Sequence, residues 1–158
     1  MNATNQQPGQ KGIDPRGPRF GAAITSVLMV LVVYLSLDPA TINLAMVIMI
    51  FAVAMFTIGT AVGPTKHPYS YVFKYLVRPA LKPPTALENV TPVHFAQFVG
   101  LLVTGTGLVL HLLGVAYALP VAAAAAFTAA FLNAVFAYCL GCQMYLGLKR
   151  LGVIPSKS

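Results

Sequence analysis

Charged residues are scarce in this chain of 158 residues, which has ten lysines and arginines against only three acidic residues. Charged side chains make up 8% of the sequence, whereas a soluble domain carries about 25%. Hydrophobic residues make up 58%. Because so few charges cannot cover a water-exposed surface, the composition excludes a soluble globular domain and predicts a protein that lies largely in a lipid bilayer.

The chain also lacks the groups that metal, nucleic-acid and familiar catalytic sites require. Its basic residues form no long clusters interleaved with aromatic rings, and they are confined to segments that flank apolar runs. A structural zinc site would need His67 and His94 in addition to the two cysteines, but His94 lies on the other face of its predicted helix. We therefore expect no nucleic-acid partner, no metal and no cofactor. No known catalytic motif decides whether the protein is an enzyme.

Four apolar runs are long enough to form membrane-spanning helices, which need roughly 20 residues each. We predict these helices at about residues 20–37, 41–62, 93–117 and 121–148. They predict an all-α membrane protein, a four-transmembrane-helix bundle that forms one domain over residues 13–151. Residues 1–12 are rich in Pro, Gly, Asn and Gln, which predicts a disordered tail, and residues 152–158 form a second tail.

The basic residues predict how the bundle is oriented. Three precede the first helix, four lie in the loop at residues 63–92 and three follow the last helix, which accounts for all ten. They therefore fall on one side of a four-helix topology. Since positively charged loops stay on the cytoplasmic side, we predict a multi-pass protein of the bacterial plasma membrane with both termini in the cytoplasm.

The loop at residues 63–92 contains aromatic and basic residues in a combination that is typical of the membrane surface. Tyr71 and Tyr75 supply rings, and Lys74 and Arg78 supply cations. The pattern predicts a short helix in the interface, with its rings at headgroup depth and its cations facing lipid phosphate. The lipid bilayer would then be a direct partner of this loop. The alternative is a solvated linker.

Small and polar residues recur at spacings of three and four on the third and fourth predicted helices, where they would let the helices approach closely in lipid. This seam contains Gly100, Thr104, Gly107, His111 and Gly114 on one helix and Ala126, Ala130, Asn133, Ala134 and Ala137 on the other. Because a three-residue turn joins the helices, we expect antiparallel neighbours whose stripes face each other. His111 is either a proton relay or ligand, or a histidine that hydrogen-bonds Asn133 or a backbone carbonyl.

The only cysteines, Cys139 and Cys142, are separated by two residues. Such a pair is a dithiol–disulfide couple, half of a zinc site, or two residues that pack in the interior. On one continuous helix they would lie near its carboxyl end, where the helix dipole and the apolar surroundings oppose the thiolate. Cys142 would be nearer the cytoplasm and would act as the entry thiol, with Cys139 resolving the mixed disulfide.

Four ordered motifs carry a resemblance to a known family. They are Ile13-Asp14-Pro15-Arg16-Gly17-Pro18-Arg19-Phe20, His67-Pro68-Tyr69 with Leu76-Val77-Arg78-Pro79, Phe95-Ala96-Gln97, and Ala137-Tyr138-Cys139-Leu140-Gly141-Cys142-Gln143-Met144-Tyr145. From about residue 12 to 151 the chain resembles the bacterial membrane family named domain of unknown function 4395. The resemblance implies that Cys139 and Cys142 are the family's Cys-x-x-Cys element. It also implies association with thioredoxin-like and rhodanese-type sulfurtransferase proteins.

The leading hypothesis is a membrane accessory protein whose catalytic pair, Cys139 and Cys142, relays thiol–disulfide or sulfane-sulfur equivalents. Its partner would be a cytoplasmic thioredoxin-like or rhodanese-type protein. The alternative is a non-catalytic subunit that anchors or stabilises a larger membrane complex. A third hypothesis, a small transporter for a sulfur-containing anion, depends only on the glycine and histidine residues of the seam.

The charge asymmetry predicts that Lys82 and Lys157 lie in the cytoplasm. Fusions of green fluorescent protein and of alkaline phosphatase to the C-terminus test this orientation, and we expect fluorescence without phosphatase activity. A phosphatase fusion in the turn at Asp38 is the control and should be active. An active C-terminal phosphatase fusion would contradict the predicted orientation.

Overall fold

A computed structural model of the chain describes residues 12–155 and consists mainly of helices. Their bounds are α1 Arg16–Leu35, α2 Ile42–Val62, α3 Pro68–Val72, α4 Val90–Leu112, α5 Ala118–Phe136 and α6 Leu140–Arg150. Helices α1, α2, α4 and α5 are long and apolar enough to cross a membrane, which confirms the predicted all-α, four-helix class. The parts of the predicted tails before residue 12 and after residue 155 lie outside the described residues.

The four long helices form a closed ring. α1 packs against α2 and α5, and α4 packs against the same two helices from the other side. Apolar side chains point outward from every helix of the ring, and Leu31, Val47, Leu102 and Val135 are between 41% and 59% exposed. Extensive exposed apolar surface marks a protein that contacts lipid or other proteins, so the ring has the surface expected of a multi-pass membrane protein.

A two-residue ladder joins the start of the described chain to the segment before α4. Gly12–Ile13 (β1) pairs antiparallel with Glu88–Asn89 (β2), so the predicted disorder is wrong at Gly12. Just before α1, the Asp14 carboxylate accepts hydrogen bonds from the backbone and side chain of Arg16 at 2.8 to 3.0 Å. The side-chain bond from Arg16 holds the pKa of Asp14 below its usual value. α1 begins at residue 16 instead of the predicted residue 20.

The segment between α2 and α4 is helical for much of its length, with short 3-10 and π-helical turns around α3. His67 fixes the start of α3. Its Nδ1 accepts the backbone N–H of Tyr69 at 3.2 Å, and its Nε2 donates to the Met55 carbonyl at 3.0 Å. Burial lowers the pKa of His67, so the ring is neutral at physiological pH in the folded protein.

The residues predicted to lie at the membrane surface are on the exposed side of this segment. Phe73 is buried and packs against α1. Tyr71 and Tyr75 instead stack on the outside with ring centroids 6.5 Å apart, and the Lys74 amino group lies 5.6 Å from the centre of the Tyr75 ring. Arg78 is exposed as well. Contact of these four residues with lipid stays a prediction.

The bundle is densely packed in only one half. The core draws on the second half of α1 and the first halves of α2 and α5, and it contains Met29, Val32, Ala45, Met49, Ala52, Leu119, Ala122, Ala123 and Ala126. This half lies near the two short turns that join α1 to α2 and α4 to α5. The other half, which lies toward the loop between α2 and α4, encloses a cavity.

α4 differs from its predicted bounds at both ends. It begins earlier than predicted because the Asn89 side chain caps it by accepting a backbone N–H. It ends earlier because Gly114 has a φ of +86°. The N–H of Val115 then donates to the Leu110 carbonyl at 2.9 Å, which is the hydrogen bond of a Schellman motif. Gly114 therefore ends the helix, and the seam predicted to include it stops short of this residue.

α4 and α5 are antiparallel neighbours that approach each other most closely at one glycine. A Cβ atom on Gly107 would overlap the side chain of Ala122. Toward the start of α4, the predicted seam no longer faces α5 at every position. Thr104 is fully buried and donates to the Gly100 carbonyl at 2.7 Å, and Gly100 itself faces Phe56 of α2 instead of α5. Only part of the predicted stripe on α4 therefore packs against α5.

Replacing Gly107 with Ala should destabilise the protein, although alanine is the better helix former. The added Cβ would overlap Ala122, and overpacking of this kind costs about 1–3 kcal/mol. Gly105→Ala is the matched control, because no atom lies within 4 Å of its Cβ position. It should stabilise α4 by about 0.5–1 kcal/mol. Melting temperatures in detergent test the contact, and a Gly107→Ala value at or above that of Gly105→Ala would contradict it.

Candidate functional site

The chain leaves helical geometry between α5 and α6. Ala137 has a φ of +55°, a left-handed conformation that costs a residue with a side chain roughly 1–2 kcal/mol. Cys139 is extended, with a ψ of +101°. The single helix predicted over residues 121–148 is therefore wrong. No glycine or proline occurs at residues 136–140, so the usual local signals of a helix end are missing.

A side chain from another helix satisfies the end of α5. Arg19 of α1 donates from Nη2 to the Ala134 carbonyl at 3.2 Å. Within the turn, the N–H of Tyr138 donates to the Leu132 carbonyl at 3.1 Å. The last carbonyls of a helix otherwise lack partners, and a cation there also interacts favourably with the helix dipole. In the sequence, Arg19 is one of the basic residues that predict orientation, and no local pattern indicates this contact with α5.

α6 begins at the cysteine pair. Cys139 occupies the N-cap, its Sγ accepts the backbone N–H of Cys142 at 3.2 Å, and the two sulfur atoms form a disulfide. The Cα atoms are 5.2 Å apart. A sulfur in this position lies beside unpaired N–H groups at the positive end of the helix dipole, which favours the thiolate once the disulfide is reduced. The expected opposition of the helix dipole is therefore wrong, because the cysteine pair begins a helix instead of lying near the end of one.

Close packing against α4 fixes where the cysteine pair lies. Gly141 is buried, and a Cβ atom on it would lie 2.6 Å from the Cα of Ala96. Any larger residue would push α6 away from α4. One turn further along α6, the rings of Tyr145 and Phe95 meet with their centroids 5.6 Å apart. The glycine between the two cysteines therefore permits a close approach of the two helix backbones.

The disulfide forms part of the wall of an internal cavity of about 240 Å³. The cavity lies between α1, α2, α4 and α5 in the half of the bundle that the core leaves unfilled. Small side chains leave this space open, and those in its wall include Gly21, Gly100, Ala125, Ala129 and Ala130. Ala126 and Ala130 thus border a cavity, although their periodicity had predicted close packing against α4.

Few polar side chains reach this cavity, and within residues 12–155 four of them make no side-chain hydrogen bond, namely Tyr69, Glu88, Gln97 and Asn133. The two amides among them belong to Gln97 in α4 and Asn133 in α5. Tyr69 lies at the loop end of the bundle, which is the end that carries the loop between α2 and α4. Burial raises the pKa of its hydroxyl. An apolar wall with a few polar groups is typical of small-molecule sites. Among the residues that the structure describes, no three His, Cys, Asp or Glu side chains come close enough to hold a metal ion.

The profile of the family described as "Domain of unknown function (DUF4395)" matches residues 13–150, nearly the whole chain. The chain belongs to this family. The match spans every residue of the site, from Arg19 to Cys142, and confirms the resemblance that the four motifs indicated. No curated protein and no solved structure matches the chain. Because the DUF4395 description assigns no chemistry, the function has to be inferred from the site.

The other residues of the predicted seam have separate positions in this DUF4395 protein. His111 is half-buried in the last turn of α4, and its ring makes no hydrogen bond in the described part of the chain. Asn133 lines the cavity at the other end of the bundle. Ala134 offers its carbonyl to Arg19, and Ala137 forms the left-handed turn. The last three residues of the stripe therefore lie at the end of α5 and in the turn before the cysteine pair.

Proposed function

We propose that this DUF4395 protein is a membrane thiol–disulfide exchange protein that acts through Cys139 and Cys142 on a cytoplasmic thioredoxin-like partner. The observation that carries the proposal is the position of the disulfide at the start of α6, with Cys139 as the N-cap residue. Reactive Cys-x-x-Cys pairs share this position, because the N-terminus of a helix favours the thiolate of a cysteine there.

The exchange requires only the two cysteines and a dithiol on the partner. A partner thiolate attacks Sγ of Cys139, the bond between Cys139 and Cys142 breaks, and its electron pair leaves with Cys142, which takes up a proton. The partner's second thiolate then attacks the mixed disulfide and displaces Cys139. The partner loses two electrons and two protons, and the cysteine pair gains them. N–H groups at the start of α6 stabilise Cys139 as the leaving thiolate in the second step.

The exposure of the cysteines and the positive charge near them favour an approach of the partner protein from the loop end of the bundle. Both cysteines are only partly buried. α6 carries Lys149 and Arg150 in its last turn, and Arg78 is exposed on the loop between α2 and α4. A partner with an acidic rim around its dithiol would be attracted to such a surface. The segments that flank this end of the bundle also contain basic residues that contribute to the predicted cytoplasmic orientation, namely Arg16, Lys66 and Lys82.

The other hypotheses differ in what they would leave bound to the cysteines. A sulfurtransferase partner would use the same two residues but would leave a persulfide sulfur on Cys139, which adds one sulfur atom to the mass of the protein. A subunit that only anchors a larger complex would form no covalent bond through either cysteine. No observation in the described chain favours transport of a sulfur-containing anion.

In the Cys142→Ser variant, the Cys139 thiolate should attack the disulfide of an oxidised partner, and the mixed disulfide should accumulate because Cys142 is not there to complete the exchange. Cys139→Ser lacks the thiol at the N-cap and should trap none. Non-reducing gels of membranes from both strains, followed by mass spectrometry of any shifted band, provide the measurement.

The double variant with serine at both positions is the control for disulfides that do not involve this site. Trapping by Cys139→Ser but not by Cys142→Ser would show that Cys142 is the entry thiol and would contradict the role given to the N-cap. If neither variant traps a protein, the anchoring-subunit hypothesis replaces this one.

A further inference from the structure

Two features beside the disulfide have no role in exchange with a soluble partner. One is the internal cavity, and the other is an apolar groove between α4 and α5 on the outside of the bundle. We propose that together they bind a prenylated quinone, whose ring occupies the cavity and accepts two electrons from the reduced cysteine pair. This inference rests on the proposed function and extends it by naming a lipid-soluble reaction partner for the same two cysteines.

The cavity has the size and polarity that a quinone ring requires. An apolar protein cavity of about 150 Å³ holds benzene. The volume here is about 240 Å³, which leaves room for a ring with substituents. A quinone is flat and apolar apart from two carbonyl oxygens, so it needs two hydrogen-bond donors. Gln97 and Asn133 line the cavity from different helices, and neither side-chain amide has a partner within residues 12–155. Each can donate an N–H to one quinone oxygen.

The groove adjoins the cavity on the outside of the bundle. Val103 of α4 and Ala125 of α5 belong to the walls of both, and Ala125 is exposed. The groove follows the two helices as far as the turn that joins them. Its lining is mostly aliphatic and includes Leu102, Leu110, Val115 and Val121. An isoprenoid tail is a flexible apolar chain that fits this surface, whereas a water-soluble ligand would make no use of it.

The reaction balances without any further reactant. The thiolate of Cys139 adds to a ring carbon of the quinone and forms a C–S bond. The thiolate of Cys142 then attacks that sulfur, the S–S bond forms, and the C–S bond breaks with its electron pair passing to the ring. The two protons of the reduced cysteines end on the two quinone oxygens. One quinone becomes one quinol, two thiols become one disulfide, and the disulfide is again ready to oxidise the soluble partner.

The proposal is tested with the full-length protein in phosphatidylcholine vesicles, reduced, freed of reductant and mixed with decylubiquinone without oxygen. Quinone absorbance and free thiols are followed together, and one quinol should form for every two thiols lost. Ala129→Leu places a larger side chain in the cavity wall and should slow quinone reduction at least tenfold. Ala124→Leu is the matched control on the same helix. Ala124 is exposed and lines neither the cavity nor the groove, so this variant should react as the wild type does.

Exchange with a purified thioredoxin, measured on the same variants, separates this proposal from the proposed function. Ala129→Leu should exchange at the wild-type rate, which also shows that it is folded. The quinone proposal is overturned if the wild type exchanges with thioredoxin but does not reduce decylubiquinone. It is also overturned if Ala129→Leu reduces the quinone as fast as Ala124→Leu, or if the variant lacking both cysteines reduces it as fast as the wild type. A protein that reduces the quinone but exchanges with no thioredoxin supports the quinone site and overturns the proposed soluble partner.

Discussion

The end of α5 constrains the rest of the structure, because a helix that stops inside an apolar bundle leaves carbonyl groups that must find partners. Arg19 supplies one of these partners from α1, by donating to Ala134 at 3.2 Å. Ala137 adopts the left-handed conformation that turns the chain out of the helix. Without the turn, the apolar sequence would continue as one helix, and Cys139 would lie near a carboxyl end instead of at an N-cap.

The same turn links the packing of the bundle to its chemistry. It returns the chain to α4, where Gly141 permits direct contact with Ala96. α6 thus covers the loop end of the bundle without filling the space between the long helices, and a cavity remains there. The dense core in the other half, around Met29 and Met49, keeps the ring of helices closed. The disulfide therefore borders a preformed space and is also partly exposed at the end of the bundle.

The class of fold could be predicted from the sequence because hydropathy is a property of about 20 consecutive residues. The cysteine pair was also visible, since its spacing is local. The interruption at Ala137 was not, because its determinant is a hydrogen bond from Arg19 to a carbonyl 115 positions away. The packing predicted from the stripe on α5 was incomplete for a similar reason. An alanine that touches another helix, such as Ala122, and one that lines a cavity, such as Ala130, obey the same periodicity.

The most direct test of the interrupted helix is the rate at which each cysteine reacts with iodoacetamide at neutral pH. The single-cysteine variants Cys142→Ser and Cys139→Ser are compared in the same detergent, folded and then unfolded. Because Cys139 lies at the N-cap of α6, it should react about tenfold faster than Cys142 in the folded protein, and unfolding should abolish the difference. Equal rates in the folded protein, or a faster reaction of Cys142, would indicate one continuous helix and would contradict the interruption at Ala137.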